Sequence, residues 1–261
     1  MPPPHPDPLP QASLGEREKT AKASGIRIMS TTLTTIAFDA DDTLWQNEHF
    51  YRITEKRFTD LLADYGDAEA ISHRLLQAEK RNLGLYGYGI KGFMLSMVET
   101  AIDVSDGGID IRRVREILDA GRDMLAHPVD MLPQVRETLE HVKGAYRMLL
   151  VTKGDLFDQE RKIALSGVGD LFDAIEIVSE KHTHTYERLF ARHGDGAARG
   201  MMVGNSLKSD IVPAIAAGSW GVYVPHALTW VHEHADAPLD APRFRQIDML
   251  GGLVELLQRI D

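Results

Sequence analysis

Two hydrophobic patterns follow one another along this chain. Short apolar runs at 36–38, 147–152, 174–178, 200–204 and 220–224 predict buried strands. Polar or small residues stand at the end of these runs or directly after them. Apolar residues at helical spacing between and after them predict helices over 135–142, 157–165, 185–193, 209–217 and 249–259. Short strands that alternate with helices predict an α/β fold, in which helices cover both faces of a parallel sheet.

The stretch from 46 to 127 differs because it shows helical spacing alone. It predicts helices over 48–64, 69–83, 93–104 and 109–125, with a glycine- and tyrosine-rich break at 84–89. We therefore expect a helical domain at 46–127, inserted into an α/β core domain formed by 31–45 and 128–261.

The first 30 residues are expected to form a disordered extension. Six of the 12 prolines fall within the first ten residues, and the segment is polar through Ser24. It contains no apolar stretch of the kind that a secretion signal needs. No apolar run in the chain approaches the roughly 20 residues that span a bilayer.

Composition narrows the classes of function. The net charge is −10, which disfavours nonspecific binding to nucleic acid or to an anionic membrane. The chain has no cysteine, which excludes disulfides, thiolate catalysis and cysteine-bound zinc. These features fit a cytoplasmic protein with a small-molecule partner.

Residues that can carry chemistry follow the predicted strands. Asp39, Asp41 and Asp42 come directly after the first strand, and three carboxylates this close need a cation or hydrogen bonds to hold them. The ends of parallel strands meet at one edge of a sheet. The same edge should therefore receive the polar residues that follow the other strands, which are Thr152, Lys153, Lys181, Asn205, Ser206 and Asp210. This set of groups suits phosphoryl transfer, which needs positioning, charge neutralisation and an in-line attacking group.

Four short motifs give the chain a resemblance to the haloacid dehalogenase-like (HAD) superfamily, in the branch that hydrolyses phosphate esters. Asp39-Ala40-Asp41-Asp42-Thr43 matches the first motif, and Thr152 at a strand end matches the second. Lys181 matches the third motif, and the stretch from Gly204 to Asp210 matches the fourth. The resemblance implies a Rossmann-like, doubly wound parallel sheet with an inserted all-helical cap, and it spans about residue 34 to the end.

The resemblance also implies roles for these residues. Asp39 would be the nucleophile that forms an aspartyl-phosphate, and Asp41 would be the general acid and base. Thr152 and Lys181 would bind the phosphoryl group. Mg²⁺ would be the cofactor, held by Asp39, the Asp41 main-chain carbonyl, Asn205 and Asp210.

One departure from the family pattern concerns the metal. Asn205 stands where the family usually has an acid, so we expect a weaker affinity for Mg²⁺. Asp42 stands where glycine is common, and we expect it to be solvated or to cap a turn. Lys153 could contact phosphate or could equally be solvated.

Other polar positions are expected to have structural or solvated roles. The histidine pairs His182/His184 and His232/His234 have no nearby acid or cysteine to complete a metal site. In the insert, the 84–92 loop as a whole is more promising for substrate contact than Arg52, Lys91, Tyr86 or Tyr88 taken singly.

The leading hypothesis is a Mg²⁺-dependent phosphomonoesterase that acts on a small phosphorylated metabolite, such as a nucleotide or a sugar phosphate. A 2-haloacid dehalogenase of the same superfamily is the first alternative, although such enzymes lack the second aspartate of the first motif. A phosphonate hydrolase would need a Schiff-base lysine in the cap, for which Lys91 is the candidate. A non-catalytic phosphate-binding scaffold has only Asn205 in its favour. The substrate and the oligomeric state, monomer or homodimer, stay open.

Overall fold

A computed structural model of the chain describes residues 33–228, 230, 233 and 235–260. The expected N-terminal extension and the His232/His234 pair lie outside the described residues.

A parallel sheet organises the α/β part. Its strand order is β3-β2-β1-β4-β5-β6. The strands are β1 (Thr35–Phe38), β2 (Arg147–Lys153), β3 (Ala174–Val178), β4 (Gly200–Gly204), β5 (Trp220–Tyr223) and β6 (Phe244–Gln246). All five pairings are parallel, and Ala37 of β1 lies opposite Leu149 of β2 and Met202 of β4. The order reverses between β1 and β4, which is the point where open α/β sheets bind their ligands.

Helices cover both faces of this sheet. They are α5 (Val135–Val142), α6 (Leu156–Ser166), α7 (Thr183–His193), α8 (Val212–Ala216) and α9 (Leu253–Ile260). Strand side chains alternate between the faces, as the period of two requires. Ile36 and Phe38 belong to the apolar cluster on one face, whereas Ala37 belongs to the cluster on the other face with Phe190 of α7. The prediction of a doubly wound α/β sheet is confirmed.

The inserted segment is helical and has its own apolar cluster. Its helices are α1 (Glu48–Leu61), α2 (Ala68–Tyr86), α3 (Ile90–Val104) and α4 (Ile111–Ala126). Each contributes a buried residue to the cluster, which includes Phe58, Leu75, Met97 and Ile117. The domain boundaries at 46 and 127 stay a prediction.

Two local predictions need correction, and one strand was not predicted. Helix α2 continues to Tyr86, so the break is confined to the residues around Gly87 and Gly89, whose φ angles are 71° and 111°. The segment before α8 begins as a π-helical turn, Leu207–Ile211. Strand β6 was not predicted, because its three residues are too short to show a period. None of the helices in the described part of the chain has the length and apolar composition needed to cross a bilayer.

Candidate active site

A buried ion triad lies at the carboxyl ends of β1 and β4. The Lys181 ammonium is 2.5 Å from Asp39 Oδ1 and 2.7 Å from Asp210 Oδ1. All three residues are at most 6% exposed. Asp39 follows the last residue of β1, and Asp210 lies in the π-helical turn that follows β4. The parallel sheet thus brings together residues separated by 171 positions (39 to 210).

The triad has two carboxylates and one ammonium, and therefore an excess of negative charge. Burial and, second to it, repulsion from Asp39 raise the pKa of Asp210 to about 7, although Lys181 opposes the shift. Burial alone would lower the pKa of Lys181, but its two carboxylate partners raise it above the ordinary value. Lys181 is therefore a fixed cation in a site that can accommodate more positive charge.

Thr43 connects the first motif to the fourth. Its hydroxyl donates to Asp39 Oδ2 at 2.9 Å and accepts from the backbone N–H of Asn205 at 3.0 Å. The Asn205 side-chain oxygen lies 3.3 Å from the same hydroxyl. Both oxygens of Asp39 are thus held, one by Thr43 and one by Lys181. The threonine of the first motif fixes the carboxylate that the resemblance assigns as the nucleophile.

The oxygen donors at this strand edge fit Mg²⁺. Asp39 and Asp210 supply carboxylates, and Asn205 supplies an amide oxygen beside them. Within the described ranges, no group of three or more His, Cys, Asp or Glu is placed to hold a metal. Mg²⁺ commonly takes one or two carboxylates and completes its shell with water and substrate oxygens. The excess negative charge and the hard oxygen donors therefore suit this cation.

Gly204 permits the close approach of β4 to the triad. A Cβ atom at this position would lie 2.3 Å from Asp210 Oδ2. The fourth motif therefore needs glycine here for a steric reason, since any side chain would displace the buried carboxylate.

Asp41 lies in a separate cluster of hydrogen bonds. Its Oδ1 accepts from the Trp45 indole N–H at 2.7 Å and from Lys162 Nζ at 2.6 Å. Its Oδ2 accepts from Gln159 Nε2 and from Lys162 Nζ, both at 2.8 Å. Burial would raise the pKa of Asp41, but the Lys162 charge and the three donors lower it below its ordinary value.

Helix α6 supplies two of these partners, which sequence reasoning missed. Its hydrophobic pattern is inverted: Leu156 and Phe157 are 58% and 70% exposed, whereas Gln159 and Lys162 are 3% and 9% exposed. Glutamine and lysine are seldom buried, so an amphipathic reading places them on the solvent face. The signal that could have revealed them is their i, i+3 spacing on the helix that directly follows the second motif.

The second motif places Thr152 and Lys153 at the end of β2. Thr152 is buried, and both residues line the same cavity as Asp39. The Lys153 ammonium is paired: it contacts Glu233 Oε1 at 2.5 Å and Ser209 Oγ at 2.9 Å. It also lies 4.1 Å from the centre of the Tyr88 ring. Glu233 was not among the predicted site residues.

Asp42 caps helix α1. Its carboxylate accepts from the backbone N–H of Asn47 at 2.8 Å and of Glu48 at 3.0 Å. It is 7% exposed, so the expectation of a turn cap fits the contacts and that of a solvated side chain does not. Burial raises its pKa to about 6. Its φ of 61° is a left-handed conformation that glycine adopts most easily.

The insert contacts the core at the mouth of the cavity. The Tyr88 hydroxyl donates to Glu180 Oε1 at 2.7 Å. Lys91 donates to both carboxylate oxygens of Asp155, at 2.9 and 3.0 Å. The cavity beneath these contacts is lined by all of the predicted site residues, namely Asp39, Asp41, Thr152, Lys153, Lys181, Asn205 and Asp210.

The His182/His184 pair lies at the start of α7, and both residues are exposed. His182 is the N-cap residue of α7, and His184 lies within that helix. Their ring centroids are 5.6 Å apart. Neither residue lines the cavity.

Comparisons with known proteins agree with this geometry. The family model described as haloacid dehalogenase-like hydrolase matches residues 33–218. A haloacid dehalogenase-like family hydrolase from Xanthomonas campestris is 41% identical, with a TM-score of 0.79 over 88% of this chain and 92% of its own. The rat N-acylneuraminate-9-phosphatase is 26% identical over 75% of this chain and 80% of its own length.

A more distant structure shares the fold alone. The HAD-hydrolase YfnB of Bacillus subtilis, solved bound to magnesium, is 16% identical, with a TM-score of 0.61 over 87% of this chain and 99% of its own. The family match extends over well more than half of the chain. This chain therefore belongs to the haloacid dehalogenase-like hydrolases and is a hydrolase.

Proposed function

We propose that the chain is a Mg²⁺-dependent phosphomonoesterase that acts on a small phosphorylated metabolite through an aspartyl-phosphate intermediate. The observation that carries the proposal is the presence of two different carboxylates in one cavity: Asp39 beside Lys181, and Asp41 beside Lys162. One is held where it can attack, and the other where it can move a proton. The rat relative, which is named as a phosphatase, supports the choice of a phosphate ester.

In the first step, an oxygen of Asp39 attacks phosphorus and the ester P–O bond breaks. The Lys181 ammonium, 2.5 Å from Asp39, neutralises charge on the phosphoryl oxygens. Thr152, at the end of β2, donates a hydrogen bond to the same group. Asp41 gives a proton to the leaving oxygen, and Asp39 is left as an acyl phosphate.

In the second step, Asp41 takes a proton from water, and the water oxygen attacks phosphorus. The bond from phosphorus to Asp39 breaks, which releases phosphate and restores the carboxylate. Because its pKa is lowered, Asp41 is an ionised carboxylate, and an ionised carboxylate can accept this proton. For the first step it must receive a proton, which a singly protonated phosphate ester carries, since the second phosphate pKa is about 6.

Asp39, Asp210, Asn205 and the Asp41 main-chain carbonyl would hold the metal. Mg²⁺, when bound, supplies positive charge that stabilises the phosphoryl oxygens during transfer. The excess negative charge of the triad, expressed in the raised pKa of Asp210, supports this assignment.

The alternatives within the superfamily receive less support. A dehalogenase has no leaving oxygen to protonate, so four hydrogen bonds to a partly buried Asp41 would serve no purpose there. Lys91, the candidate Schiff-base lysine of a phosphonate hydrolase, is paired with Asp155, and it is not among the residues that line the cavity. Membership in a hydrolase family also disfavours the non-catalytic scaffold.

Hydrolysis of para-nitrophenyl phosphate with and without Mg²⁺ tests the proposal. Asp39→Asn should abolish turnover. A substrate with a radiolabelled phosphoryl group should label the wild-type protein covalently but not this variant. Asp103→Asn, an exposed aspartate at the end of α3, is the matched control and should keep full activity. Normal turnover by Asp39→Asn would refute the proposed mechanism.

A further inference from the structure

Asp41 is held more completely than any other carboxylate described at this site. Both of its oxygens accept two hydrogen bonds, from Trp45, Gln159 and Lys162. Only Trp45 lies near the first motif in sequence. Gln159 and Lys162 lie on α6, at separations of 118 and 121 residues from Asp41.

Gln159 is oriented at a cost to its own hydrogen bonding. Its Nε2 donates to Asp41 Oδ2 at 2.8 Å and to the Lys153 carbonyl at 3.1 Å. Its Oε1 is buried and has no hydrogen-bond partner among the described residues. Rotating the amide would place this oxygen against two acceptors, so the neighbours fix the orientation. A buried polar atom left without a partner is rare in native proteins and calls for an explanation.

Lys162 shows a similar preference for one partner. It is 9% exposed, and its ammonium lies 2.6 Å from Asp41 but 3.9 Å from Asp158 on its own helix. It also donates to the Asn47 side-chain oxygen at 3.3 Å. This buried ammonium is directed at Asp41 rather than at Asp158, which lies one turn earlier on the same helix.

Helix α6 connects these contacts to the phosphate side of the cavity. The helix starts four residues after Thr152, and Asp155 caps it by accepting from the Asp158 backbone N–H at 3.0 Å. The helix that follows Thr152, α6, is therefore also the helix whose side chains hydrogen-bond to Asp41. Because polar residues occupy part of the buried face of α6, Leu156, Phe157 and Leu165 remain exposed. The helix therefore lacks the stabilisation that burial of these three side chains would give.

We propose that Gln159 and Lys162 are positioning residues that hold the Asp41 carboxylate where it can reach the leaving oxygen of the substrate. The inference rests on the proposed function and assigns residues outside the four motifs to it. Trp45 donates a further hydrogen bond to one oxygen of Asp41. The two α6 residues determine the rotation of the carboxylate, and they act through Asp41 without contacting the reacting atoms.

The test uses two substrates of the same shape whose leaving groups differ in their need for a proton. Para-nitrophenolate leaves without protonation, whereas phenolate benefits from an acid. The values of kcat/KM for both esters are measured for wild type, Lys162→Met, Gln159→Leu and Lys162→Arg. Glu160→Gln, an exposed position of the same helix, is the control.

Lys162→Met and Gln159→Leu should lose about tenfold to a hundredfold in kcat/KM for phenyl phosphate, part of the contribution of a general acid. They should lose less than about threefold for para-nitrophenyl phosphate, since that step needs no proton from Asp41. Lys162→Arg should recover much of the loss because it keeps the charge. If the two residues had a purely structural role, their substitution would reduce kcat/KM equally for both esters. That result would overturn the inference, as would an unchanged kcat/KM for both esters.

Two further outcomes separate this inference from the proposed function. Suppose that wild type hydrolyses both esters and that the variants show the same ratio of the two kcat/KM values as wild type. The positioning role is then wrong, while the proposed function stands. If wild type hydrolyses neither ester, the proposed function fails and the inference fails with it. Should Lys162→Met not fold, Gln159→Leu and Gln159→Met carry the same comparison, because they remove no charged group.

Discussion

The Lys181 ammonium lies 2.7 Å from a carboxylate oxygen of Asp210, and both side chains are almost fully buried. The pair stands beside a second buried carboxylate, Asp39, so the single ammonium balances two acids. A buried ion group of this kind is costly to break by removing one partner, because the remaining charges lose their compensation.

Lys181→Met should therefore destabilise the metal-free protein. At about pH 8 the free energy of unfolding should fall by about 3–5 kcal/mol, since two ionised carboxylates would remain buried without a cation. The pKa of Asp210 is about 7 even with Lys181 present, and it should rise further in the variant. Protonation of Asp210 should then reduce the loss at about pH 5.

Urea unfolding in the presence of a chelator at both pH values measures this difference. Lys80→Met, which removes an exposed lysine of α2, is the matched control and should have little effect. Equal losses at the two pH values would contradict the assignment of Asp210 as the group that titrates.

Asn205→Asp should strengthen Mg²⁺ binding. The substitution places a third carboxylate beside Asp39 and Asp210, and a divalent cation gains from each added negative charge. The concentration of Mg²⁺ that gives half-maximal activity should fall by about tenfold, which corresponds to about 1.4 kcal/mol. Gln77→Glu adds the same charge at an exposed position of α2 and should leave that concentration unchanged.

Tyr88→Phe should weaken closure of the helical insert over the core. It removes the hydroxyl that donates to Glu180 at 2.7 Å but keeps the ring beside Lys153. A hydrogen bond to a charged group is worth about 1.5–3 kcal/mol, so kcat/KM should fall by about tenfold or more. Tyr86→Phe, at an exposed position two residues earlier, is the control. Unchanged kinetics in Tyr88→Phe would show that this contact does not contribute to catalysis.

Glu79→Gln should make the protein more stable in alkaline solution. Burial, with repulsion from Glu55 and Glu48, raises the pKa of Glu79 from 4.5 to about 7. The folded state therefore holds this proton more tightly than the unfolded state, and stability falls as pH rises from about 4.5 through about 7.

The Glu79→Gln variant has no carboxylate to ionise at this position. Its free energy of unfolding at about pH 8 should therefore be about 2–3 kcal/mol higher than that of wild type. The advantage should vanish at about pH 4, where wild-type Glu79 is protonated in both states. Thermal unfolding across this pH range measures the gap. Glu116→Gln, at an exposed position of α4, should show no such trend.

Periodic patterns predicted the sheet and most helices because burial imposes a strict period on strands and helices. The apolar run before Asp39 and the strands ending at Thr152 and Gly204 were located within a residue or two of their observed ends. The site triad was predictable for the same reason, since strand ends in a parallel sheet must converge.

The missed residues share one physical property: they are polar groups removed from most of the solvent and paired with residues distant in sequence. Gln159 and Lys162 interrupt the apolar face of α6, and Glu233 lies far from Lys153 in the chain. Such burial is favourable only when a specific partner is in place. A single sequence contains no record of that partner, so a period-based prediction assigns these residues to the solvent face.

Asp155 belongs to two structural units at once. Its carboxylate caps α6 through the Asp158 backbone N–H and binds Lys91 of the insert. Movement of the insert away from the core would therefore remove a cation from the N-terminus of the same helix that holds Asp41 through Gln159 and Lys162. The electrostatic environment of that helix end therefore depends on whether the insert is docked. Under the proposed mechanism, this dependence couples enclosure of a substrate to the electric field around Asp41.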